Sequence, residues 1–366
     1  MSANPLRILM ISGSYPPMKC GVGDYTAQLV QALASRPDTQ VAVLADVAVT
    51  GRASDTGAEV FPVAHGWLFS DVPEILRTAR RWSPDIIHIQ YPSQNYKSNM
   101  PWLLSALLLT LGVPIVQTWH NYYGQTRFWH NLPNTLVPGG LVVVRPRYKE
   151  NMPTWYRWLI AHKRFRYIPN ASAIPQSVLT TSERAALRAQ WAWDGRALLA
   201  YFGFIFPSKG VDLLFDIADP ARHQLVIIGD LQPDDPYHRQ IRERARQAPW
   251  AGRATIAGFL PAGEAGRILA AADAVVLPFR EGGGSWNTSI QSAALQGTFV
   301  LTTSFERHGY DAQTNIYYGR PHDISDLRTA LDLYLGRRND AAHARQFGSW
   351  DSIADAHLEL YRDLLN

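Results

Sequence analysis

The sequence lacks several features that mark common classes of protein. Its 366 residues include one cysteine, Cys20, which excludes a disulfide framework and favours a reducing compartment. Charged residues make up only 18% of the chain and apolar residues 46%, a balance that excludes a disordered chain. The longest apolar run, residues 102–116, is too short and too often interrupted to span a bilayer, which needs about 20 residues. We therefore expect a folded protein that is soluble or peripheral to a membrane.

The N-terminus and the charge exclude two further classes. The first residues, MSANPLRILMIS, lack the charged start, the long apolar core and the cleavage site of a secretion signal. The net charge of +4 is not accompanied by a recognised nucleic-acid-binding module, so we expect no nucleic acid as a partner. We expect a cytoplasmic protein, with the inner face of the membrane as a peripheral site.

Basic and aromatic residues are concentrated in one segment, residues 145–167. Its cations would attract an anionic lipid surface, and its aromatic side chains would lie at headgroup level. The cations are Arg145, Arg147, Lys149, Arg157, Lys163, Arg164 and Arg166, and the aromatic residues are Trp155, Trp158 and Tyr167. The segment predicts weak, reversible membrane association. A partly buried helix with a solvated basic face is the alternative, because the apolar positions are not cleanly periodic.

Strand-like apolar runs alternate with helix-like patterns along almost the whole chain. The first half contains LRILMIS, VAVLA, IIHIQ and PIVQTW, and the second half restarts with LLAYFGF, LVIIGD, ATIAGF, AVVLPF and TFVLTTS. This alternation is typical of parallel sheets with crossover helices. A segment with two prolines, residues 167–177, connects the halves. The sequence predicts two Rossmann-like α/β domains, residues 1–172 and 173–350, facing each other across a cleft. A C-terminal helix in residues 351–366 can pack back on the first domain.

Loops that follow strands are where open parallel sheets bind ligands. After LRILMIS, Gly21 and Gly23 let the backbone approach a ligand just before a helix. A dinucleotide site with Asp46 as the ribose ligand is one alternative, but Thr26 stands where its third glycine belongs. A glycine-containing loop without a ligand is the other.

Two histidines belong to strands of the first half. His120 follows PIVQTW, where a histidine can serve as a base, orient a substrate hydroxyl or bond to a neighbouring carbonyl. His88 lies inside IIHIQ, and we expect it to be a hydrogen-bonded core residue without a catalytic role.

Three strands of the second half end in groups suited to phosphates and sugars. Lys209 follows LLAYFGF at a helix start, and Gly229 follows LVII. After AVVLPF the chain continues as REGGGSWNTSIQSAALQG, which places a carboxylate, bare backbone and a helix start at the end of one strand. The carboxylate is Glu281, the glycines are Gly282, Gly283 and Gly284, and the polar residues at the expected helix start are Ser285, Asn287, Thr288 and Ser289. Because three glycines offer no side chain to a core, we interpret them as an approach for a ligand.

The chain resembles the GT-B glycosyltransferases, and within them the large retaining family four. The matching features are the loop 21–23, His120 after a mid-domain strand, IPN at 168–170, FGFIFPSKG, LVIIGD, and an acidic loop ahead of a helix ending AALQG. Their order and spacing over nearly the whole chain are specific, although no single feature is.

The resemblance implies a role for each candidate residue. Glu281 would contact hydroxyls of the donor sugar, while Lys209, the glycines and the helix start would receive the diphosphate. His120 would contact sugar hydroxyls or the acceptor side of the cleft. The first domain would bind the acceptor and the second the nucleotide sugar. No metal or other cofactor is implied, and Asp234–Asp235 is expected to be solvated.

The chain departs from the family pattern in two places. A second glutamate, which holds the nucleotide ribose in the family, is replaced by Ser289 or Ser292, depending on the direction of counting. A basic residue before the lysine is also missing, since Phe204 and Ile205 stand there. The chain would therefore belong to an atypical branch lacking the second glutamate of the Glu-x7-Glu motif, with Asn287 or Arg280 as candidate substitutes.

The predicted function is transfer of a hexosyl group from a nucleotide-diphosphate donor, with retention, in polysaccharide biosynthesis. The acceptor would be a hydroxyl of a glycan, a lipid-linked intermediate or a small molecule. A catalytically silent nucleotide-sugar-binding module is the alternative from another class, supported by the missing glutamate. An NAD-dependent Rossmann enzyme is the third possibility.

Overall fold

The computed structural model describes residues 4–49, 56–93, 95–121, 128–191, 194–340 and 348–366. The chain divides into two compact units, one of Met1–Asn170 with Ser349–Asn366 and one of Ala171–Gly348. Among the helices that the structure describes, none combines the length and apolar composition needed to cross a membrane.

In the first unit strands and helices alternate from the start. In chain order the elements are β1 Leu6–Ser12, α1 Gly21–Ala34, β2 Thr39–Asp46, β3 Glu59–Ala64, α2 Val72–Trp82, β4 Ile86–Tyr91, α3 Leu104–Leu108, β5 Ile115–Trp119, α4 Phe128–Leu136, β6 Gly140–Val143, α5 Thr154–Leu159 and β7 Arg164–Tyr167. The strands form a seven-stranded sheet in the order β3-β2-β1-β4-β5-β6-β7. Every neighbouring pair is parallel.

The second unit repeats this plan. Its elements are α6 Thr181–Trp191, β8 Ala197–Phe202, α7 Leu214–Ile217, β9 His223–Ile228, α8 Pro236–Arg246, β10 Ala254–Gly258, α9 Ala262–Ala271, β11 Ala274–Leu277, α10 Thr288–Ala294, β12 Val300–Thr303, β13 Gly309–Asp311, β14 Ile316–Gly319 and α11 Ile324–Tyr334. The sheet order is β10-β9-β8-β11-β12-β14-β13, and only the last pair, β14 with β13, is antiparallel.

The last helix, α12 Trp350–Leu365, belongs to the first unit. Ser349 caps its N-terminus by accepting a hydrogen bond from the backbone N–H of Ser352. Its buried face packs on the first sheet, where the Tyr361 hydroxyl lies 2.5 Å from His88 Nδ1.

Burial explains why the strands lie where they do. Residues 8–11 of β1 and 274–277 of β11 are almost fully buried, as expected for strands with helices on both faces of a sheet. The two sheets confirm the predicted fold class of two Rossmann-like α/β units. In each sheet the order reverses at one point, between β1 and β4 and between β8 and β11. Doubly wound sheets bind ligands outside the carboxyl ends of the strands at such a point.

Candidate functional site

The loops after β8 and β11 meet at the reversal point of the second sheet. The backbone N–H of Arg280 donates to the carbonyl of Ser208 at 2.9 Å. Gly210 has a left-handed conformation with φ of 65°, and a Cβ on it would lie 2.2 Å from the carbonyl oxygen of Pro278. This position therefore requires glycine. The contacts bring Lys209 and the loop that contains Glu281 to one edge of the sheet.

Lys209 lies in a short 3-10 turn, Pro207–Lys209, rather than at the start of a long helix. Its Nζ atom stands 4.5 Å from the centroid of the Phe279 ring, so the ammonium is held by a cation–π contact at the end of β11. The side chain is half-buried, which leaves the charge at the carboxyl edge.

The loop after β9 lies against the chain that follows β8, at the same edge of the sheet. A Cβ on Gly229 would lie 2.4 Å from the carbonyl oxygen of Gly203, directly after β8. Glycine at 229 is thus needed for the close approach of two backbones, whether or not a ligand is bound. Gly229 itself is buried, and Gly203 lies beside the Ser289 hydroxyl, which a Cβ on Gly203 would approach to 2.9 Å.

The glycine loop after β11 has a defined hydrogen-bond pattern. The N–H of Gly283 donates to the Thr303 carbonyl at 2.6 Å, and the N–H of Gly284 donates to Asn287 Oδ1 at 2.9 Å. Asn287 is the N-cap residue, and α10 begins at Thr288. The expectation that the helix opens at Ser285 was therefore wrong, because Asn287 uses its side chain to turn the loop first.

Packing also accounts for two of the three glycines. A Cβ on Gly283 would lie 2.7 Å from the Phe279 ring, and one on Gly284 would lie 2.2 Å from the Trp286 ring. The interpretation that the glycines serve only the approach of a ligand was incomplete. Gly282, with φ of 70°, makes the turn itself.

Glu281 is exposed next to this turn, and Ser285 is exposed beyond it. The first turn of α10, with Thr288 and Ser289, has backbone N–H groups without intrahelical acceptors, as at any helix start. The loop thus presents a carboxylate and several polar groups at the same edge as Lys209.

Arg280, a candidate substitute for the missing residues of the family pattern, forms an ion pair within the second unit. Its guanidinium makes two bonds to the Asp212 carboxylate, at 2.8 and 2.6 Å, and a third to the Pro207 carbonyl at 2.8 Å. The Tyr237 hydroxyl donates to the same carboxylate at 2.7 Å. Burial alone would raise the pKa of Asp212, but the bonds from Arg280 and Tyr237 outweigh it and lower that pKa. The ion pair ties the loop after β11 to the loop after β8.

Sequence reasoning missed this network because its members lie 25 and 68 positions apart. No local spacing could have revealed it. Asp235, expected to be solvated, instead caps α8 by accepting hydrogen bonds from the N–H groups of Tyr237 and His238. No three His, Cys, Asp or Glu side chains cluster as metal ligands would in the part of the chain that the structure describes.

In the first unit, Gly21 and Gly23 lie inside the first turn of α1 rather than in a loop before a helix. Gly23 is buried, and a Cβ there would lie 3.1 Å from the backbone of Ser14. Gly21 is exposed, with space around the position of a Cβ. The close approach at Gly23 is therefore one between helix α1 and the Ser14 backbone in the loop after β1.

His120 lies directly after β5 at the carboxyl edge of the first sheet. Its Nε2 atom is 2.9 Å from Gln90 Oε1, and its ring stacks edge-on to Tyr25 of α1 with centroids 4.9 Å apart. Burial, and after it the Arg145 charge, lowers the pKa of His120 to about 3, so the imidazole is neutral near pH 7. Tyr25 thus brings His120 and the start of α1 together.

His88 is a hydrogen-bonded core residue, as predicted. It is fully buried, with Nδ1 2.5 Å from the Tyr361 hydroxyl and Nε2 2.7 Å from the Thr118 hydroxyl. Burial lowers its pKa well below the ordinary value, so it carries no charge.

The basic segment 145–167 forms α5 and the edge strand β7, with a turn between them. Trp155 and Trp158 are exposed, Trp158 to 77%. Lys163 differs from the expectation, because it is only 6% exposed and donates to the Val137 carbonyl. Burial lowers its pKa to about 7. It therefore contributes nothing to a basic surface.

The remaining cations of the segment differ in their partners. Arg166 forms an ion pair with Asp363 at 3.0 Å, and Lys149 lies over the Phe165 ring at 4.2 Å. Arg147 is 3.8 Å from Glu150, an ion pair between two exposed side chains. Arg145 donates from Nε to the His120 carbonyl. Arg157 and Arg164 are exposed close to the two tryptophans in sequence.

Known proteins share this architecture. Sucrose-phosphate synthase from Thermosynechococcus elongatus superposes with a TM-score of 0.75 at 17% identity, covering 98% of this chain and 99% of that one. Anabaena Alr3699/HepE in complex with UDP-glucose gives a TM-score of 0.73 at 16% identity, covering 98% and 100%. A GDP-mannose-dependent alpha-mannosyltransferase of Mycobacterium tuberculosis (strain CDC 1551 / Oshkosh) is 21% identical, over 43% of this chain. That match spans only 42% of the mannosyltransferase.

The sequence profile of the glycosyl transferase 4-like domain matches residues 20–203, just over half of the chain. The structural matches extend over nearly the whole chain and confirm the predicted GT-B fold. The chain therefore belongs to the glycosyl transferase 4-like family, a family of retaining, nucleotide-sugar-dependent glycosyltransferases with the GT-B fold.

Proposed function

We propose that the protein transfers a hexosyl group from a nucleotide-diphosphate donor to a hydroxyl acceptor, with retention at the anomeric carbon. The observation that carries the proposal is the meeting of the Lys209 turn and the Glu281 loop at the reversal point of the second sheet. That edge is where a doubly wound sheet binds a nucleotide. The second unit would therefore bind the donor, and the first unit the acceptor.

The diphosphate is the leaving group, and it gains negative charge as the bond to the sugar breaks. Lys209, fixed over Phe279, would place one positive charge beside it. The N–H groups at the start of α10, around Thr288 and Ser289, would add hydrogen bonds from the backbone. Gly282 and Ser285 lie in the loop that leads from β11 to α10.

The donor sugar would be held by Glu281. Its carboxylate is exposed at the carboxyl edge, where it can accept hydrogen bonds from two sugar hydroxyls. His120, neutral near pH 7, would contact a hydroxyl of the sugar or of the acceptor. A neutral ring offers one hydrogen-bond donor and one acceptor, which match the two roles of a hydroxyl.

We propose that the chain belongs to a branch of the family without the second glutamate, because serines stand where that residue belongs. Ser292 is fully buried, and its hydroxyl accepts a hydrogen bond from Ser172 at 3.0 Å. Ser289 instead lies beside Gly203 at the end of β8. We therefore assign the ribose contact to Ser289, which makes the chain a variant without the second glutamate. Asn287, the other candidate, already accepts a hydrogen bond from the Gly284 N–H through Oδ1, which supports Ser289 over it.

The donor is tested by binding and turnover with a panel that includes UDP-glucose and GDP-mannose, the sugar nucleotides named for two similar proteins. The matching donor should raise the melting temperature of the folded protein. The protein should also hydrolyse this donor or transfer its sugar. NMR of the transfer product should show an α-linked sugar when the donor is α-linked.

Glu281→Gln should abolish turnover while the melting temperature of the free protein stays within about 1 °C of wild type. Glu243→Gln, an exposed glutamate at the far end of α8, is the matched control and should keep full activity. Donor binding without turnover in the wild type would favour a silent binding module. Binding of NAD in place of any sugar nucleotide would favour the dehydrogenase alternative.

We also propose that the exposed face of α5 and β7 binds an anionic membrane, which would place the protein at the inner face of the cytoplasmic membrane beside a glycan or lipid-linked acceptor. Trp155 and Trp158 are exposed, and so are Arg157 and Arg164, which lie close to them in sequence. Each exposed cation contributes about 1 kcal/mol at such a surface.

Sedimentation with vesicles of phosphatidylglycerol and phosphatidylcholine tests this surface. The wild type should sediment at low salt, and the double variant Arg157→Gln with Arg164→Gln should remain in the supernatant. Arg239→Gln with Arg246→Gln, two exposed arginines of α8, removes the same charge from the second unit and should have no effect. Equal sedimentation of both double variants would show that the binding is not local to this face.

A further inference from the structure

Three side chains form a row at the carboxyl edge of the first sheet: Met10 of β1, Gln90 of β4 and His120 after β5. Gln90 Oε1 lies 2.9 Å from His120 Nε2, and Gln90 Nε2 lies 3.2 Å from Met10 Sδ. Met10 and Gln90 are fully buried, whereas His120 is half-buried at the edge. The row therefore runs from the core to the surface where a ligand can reach the imidazole.

The sulfur decides which way the Gln90 carboxamide points. A thioether sulfur has no hydrogen to donate and can only accept a hydrogen bond. The NH2 group must therefore face Met10, where it also lies 3.4 Å from His88 Nε2. Turning the amide over would set its oxygen against the sulfur, which has no hydrogen to donate to it. Because the NH2 group faces inward, the carbonyl oxygen faces His120.

That orientation in turn decides the tautomer of His120. Gln90 Oε1 has lone pairs only, so the imidazole nitrogen 2.9 Å away must carry a hydrogen. Burial, and after it Arg145, lowers the pKa of His120 to about 3, so the ring holds one proton near pH 7. That proton is on Nε2, and Nδ1 is left with a lone pair.

We propose that Gln90 is a positioning residue that holds His120 in the Nε2–H tautomer, so that Nδ1 accepts a hydrogen bond from a substrate hydroxyl. The inference rests on the proposed glycosyl transfer and deepens it. A bare Nδ1 selects a ligand group that can donate, which a sugar hydroxyl does and a fully ionised phosphate oxygen does not. The same nitrogen can orient the hydroxyl or take its proton.

The tautomer can be measured without any substrate. In protein labelled with 15N in its histidine rings, a protonated and a bare ring nitrogen give widely separated resonances. His120 is assigned from the signals that disappear in His120→Asn. We expect the wild type to show a protonated Nε2 and a bare Nδ1 on this ring between pH 6 and 8.

Gln90→Leu should change the His120 signals, because the acceptor for Nε2–H is lost and the Nδ1–H tautomer gains population. Gln117→Leu is the matched control. Gln117 is a fully buried glutamine of β5 that bonds to Trp119 Nε1 and the Asn134 carbonyl rather than to a histidine. It should leave the His120 tautomer as in wild type. A bare Nε2 in the wild type, or unchanged signals in Gln90→Leu, would overturn the proposal.

Gln90→Glu separates positioning from mere packing. The carboxylate keeps an acceptor for Nε2–H but raises the pKa of His120, since a nearby anion favours the charged ring. Other groups near the ring are Tyr25 of α1, His88 of β4 and Arg145 after β6. Activity of Gln90→Glu should therefore match wild type at high pH and fall as the pH drops, with an acid limb at higher pH than in wild type.

In the same assay Gln90→Leu should lose roughly tenfold in kcat/KM at every pH, the value of one hydrogen bond. Parallel pH profiles of Gln90→Glu and Gln90→Leu would overturn the positioning role. If no sugar nucleotide is turned over by the wild type, the proposed function fails, but the NMR result still decides the tautomer.

Discussion

At the scale of single residues, Gly21 and Gly23 lie two positions apart at the start of α1 but differ in the space around them. We predict that Gly21→Ala stabilises the protein by about 0.5–1 kcal/mol, because alanine suits a helix and the added Cβ meets no heavy atom of the described residues within 4 Å. Gly23→Ala should instead destabilise it by about 1 kcal/mol or more, since its Cβ would press on the Ser14 backbone at 3.1 Å.

Urea unfolding of the two variants measures the difference, and each serves as the control for the other. If the N-terminus of α1 touches a ligand, Gly21→Ala should also raise the KM for that ligand without loss of stability. Equal stability of the two variants would contradict the close approach seen at Gly23.

Residue types after strands could be read from the sequence, but their partners could not. Lys209 and Glu281 were predicted at one edge because each follows an apolar run, and parallel strands bring such positions together. Whether a given charged side chain is paired inside the fold was not predictable from the sequence. Arg280 forms an ion pair with Asp212, and Lys163 is buried and donates to the Val137 carbonyl. Both contacts depend on residues far away in the chain.

At the scale of elements, the strands with long apolar runs were predictable, and the short or polar strands were not. LRILMIS matches β1 residue for residue, and IIHIQ lies within β4, because central strands are covered on both faces and are continuously apolar. The strands missed in the first sheet are its two edges, β3 and β7, and the four-residue strand β6 between β5 and β7. β3 contains Pro62, and β7 is RFRY with exposed arginines, both typical of an edge.

The C-terminal helix α12 is joined to the first sheet by a polar contact in the core. The Tyr361 hydroxyl and the Thr118 hydroxyl occupy the two nitrogens of His88, all three fully buried. We predict that Tyr361→Phe destabilises the protein by about 1–3 kcal/mol, because one imidazole nitrogen is left buried without a partner.

Thermal and urea unfolding measure this loss. Tyr334→Phe, a tyrosine of α11 in the second unit that stacks on Tyr310, is the matched control and should cost much less. A Tyr361→Phe variant as stable as the control would show that the hydroxyl is not needed by His88.

At the scale of the whole molecule, the order of elements repeats in the two units. In both sheets the first strand is third in the order of seven, with the next two strands on one side and the following four on the other. The restart of the strand rhythm in the sequence was therefore a sound indication of two sheets. The antiparallel pair β13 and β14 was not predicted, because its strands have only three and four residues and too few positions to show a period.

The stability of the molecule should fall as the pH drops from about 6.5 towards 4. Three histidines of the first unit, His88, His120 and His357, have a pKa lowered by burial, to about 3 for His120 and about 4 for His357. In the unfolded chain each titrates near 6.5, so between these values the unfolded state binds protons that the folded state refuses. More protons on the unfolded state means that stability is present above pH 6.5 and lost below it. Each ring costs up to about 2 kcal/mol at pH 5.

Urea unfolding at pH 7.5 and 5.0 measures the loss. His357, fully buried with Nδ1 donating to the Ile353 carbonyl, is the ring whose removal should report most simply. His357→Leu should reduce the difference between the two pH values by one ring's share, even if the variant is less stable at both. His162→Gln, which removes an exposed histidine of the same unit, should leave the difference as in wild type. A wild-type free energy of unfolding that is the same at both pH values would mean that the folded chain accepts these protons, and that the buried rings are not neutral.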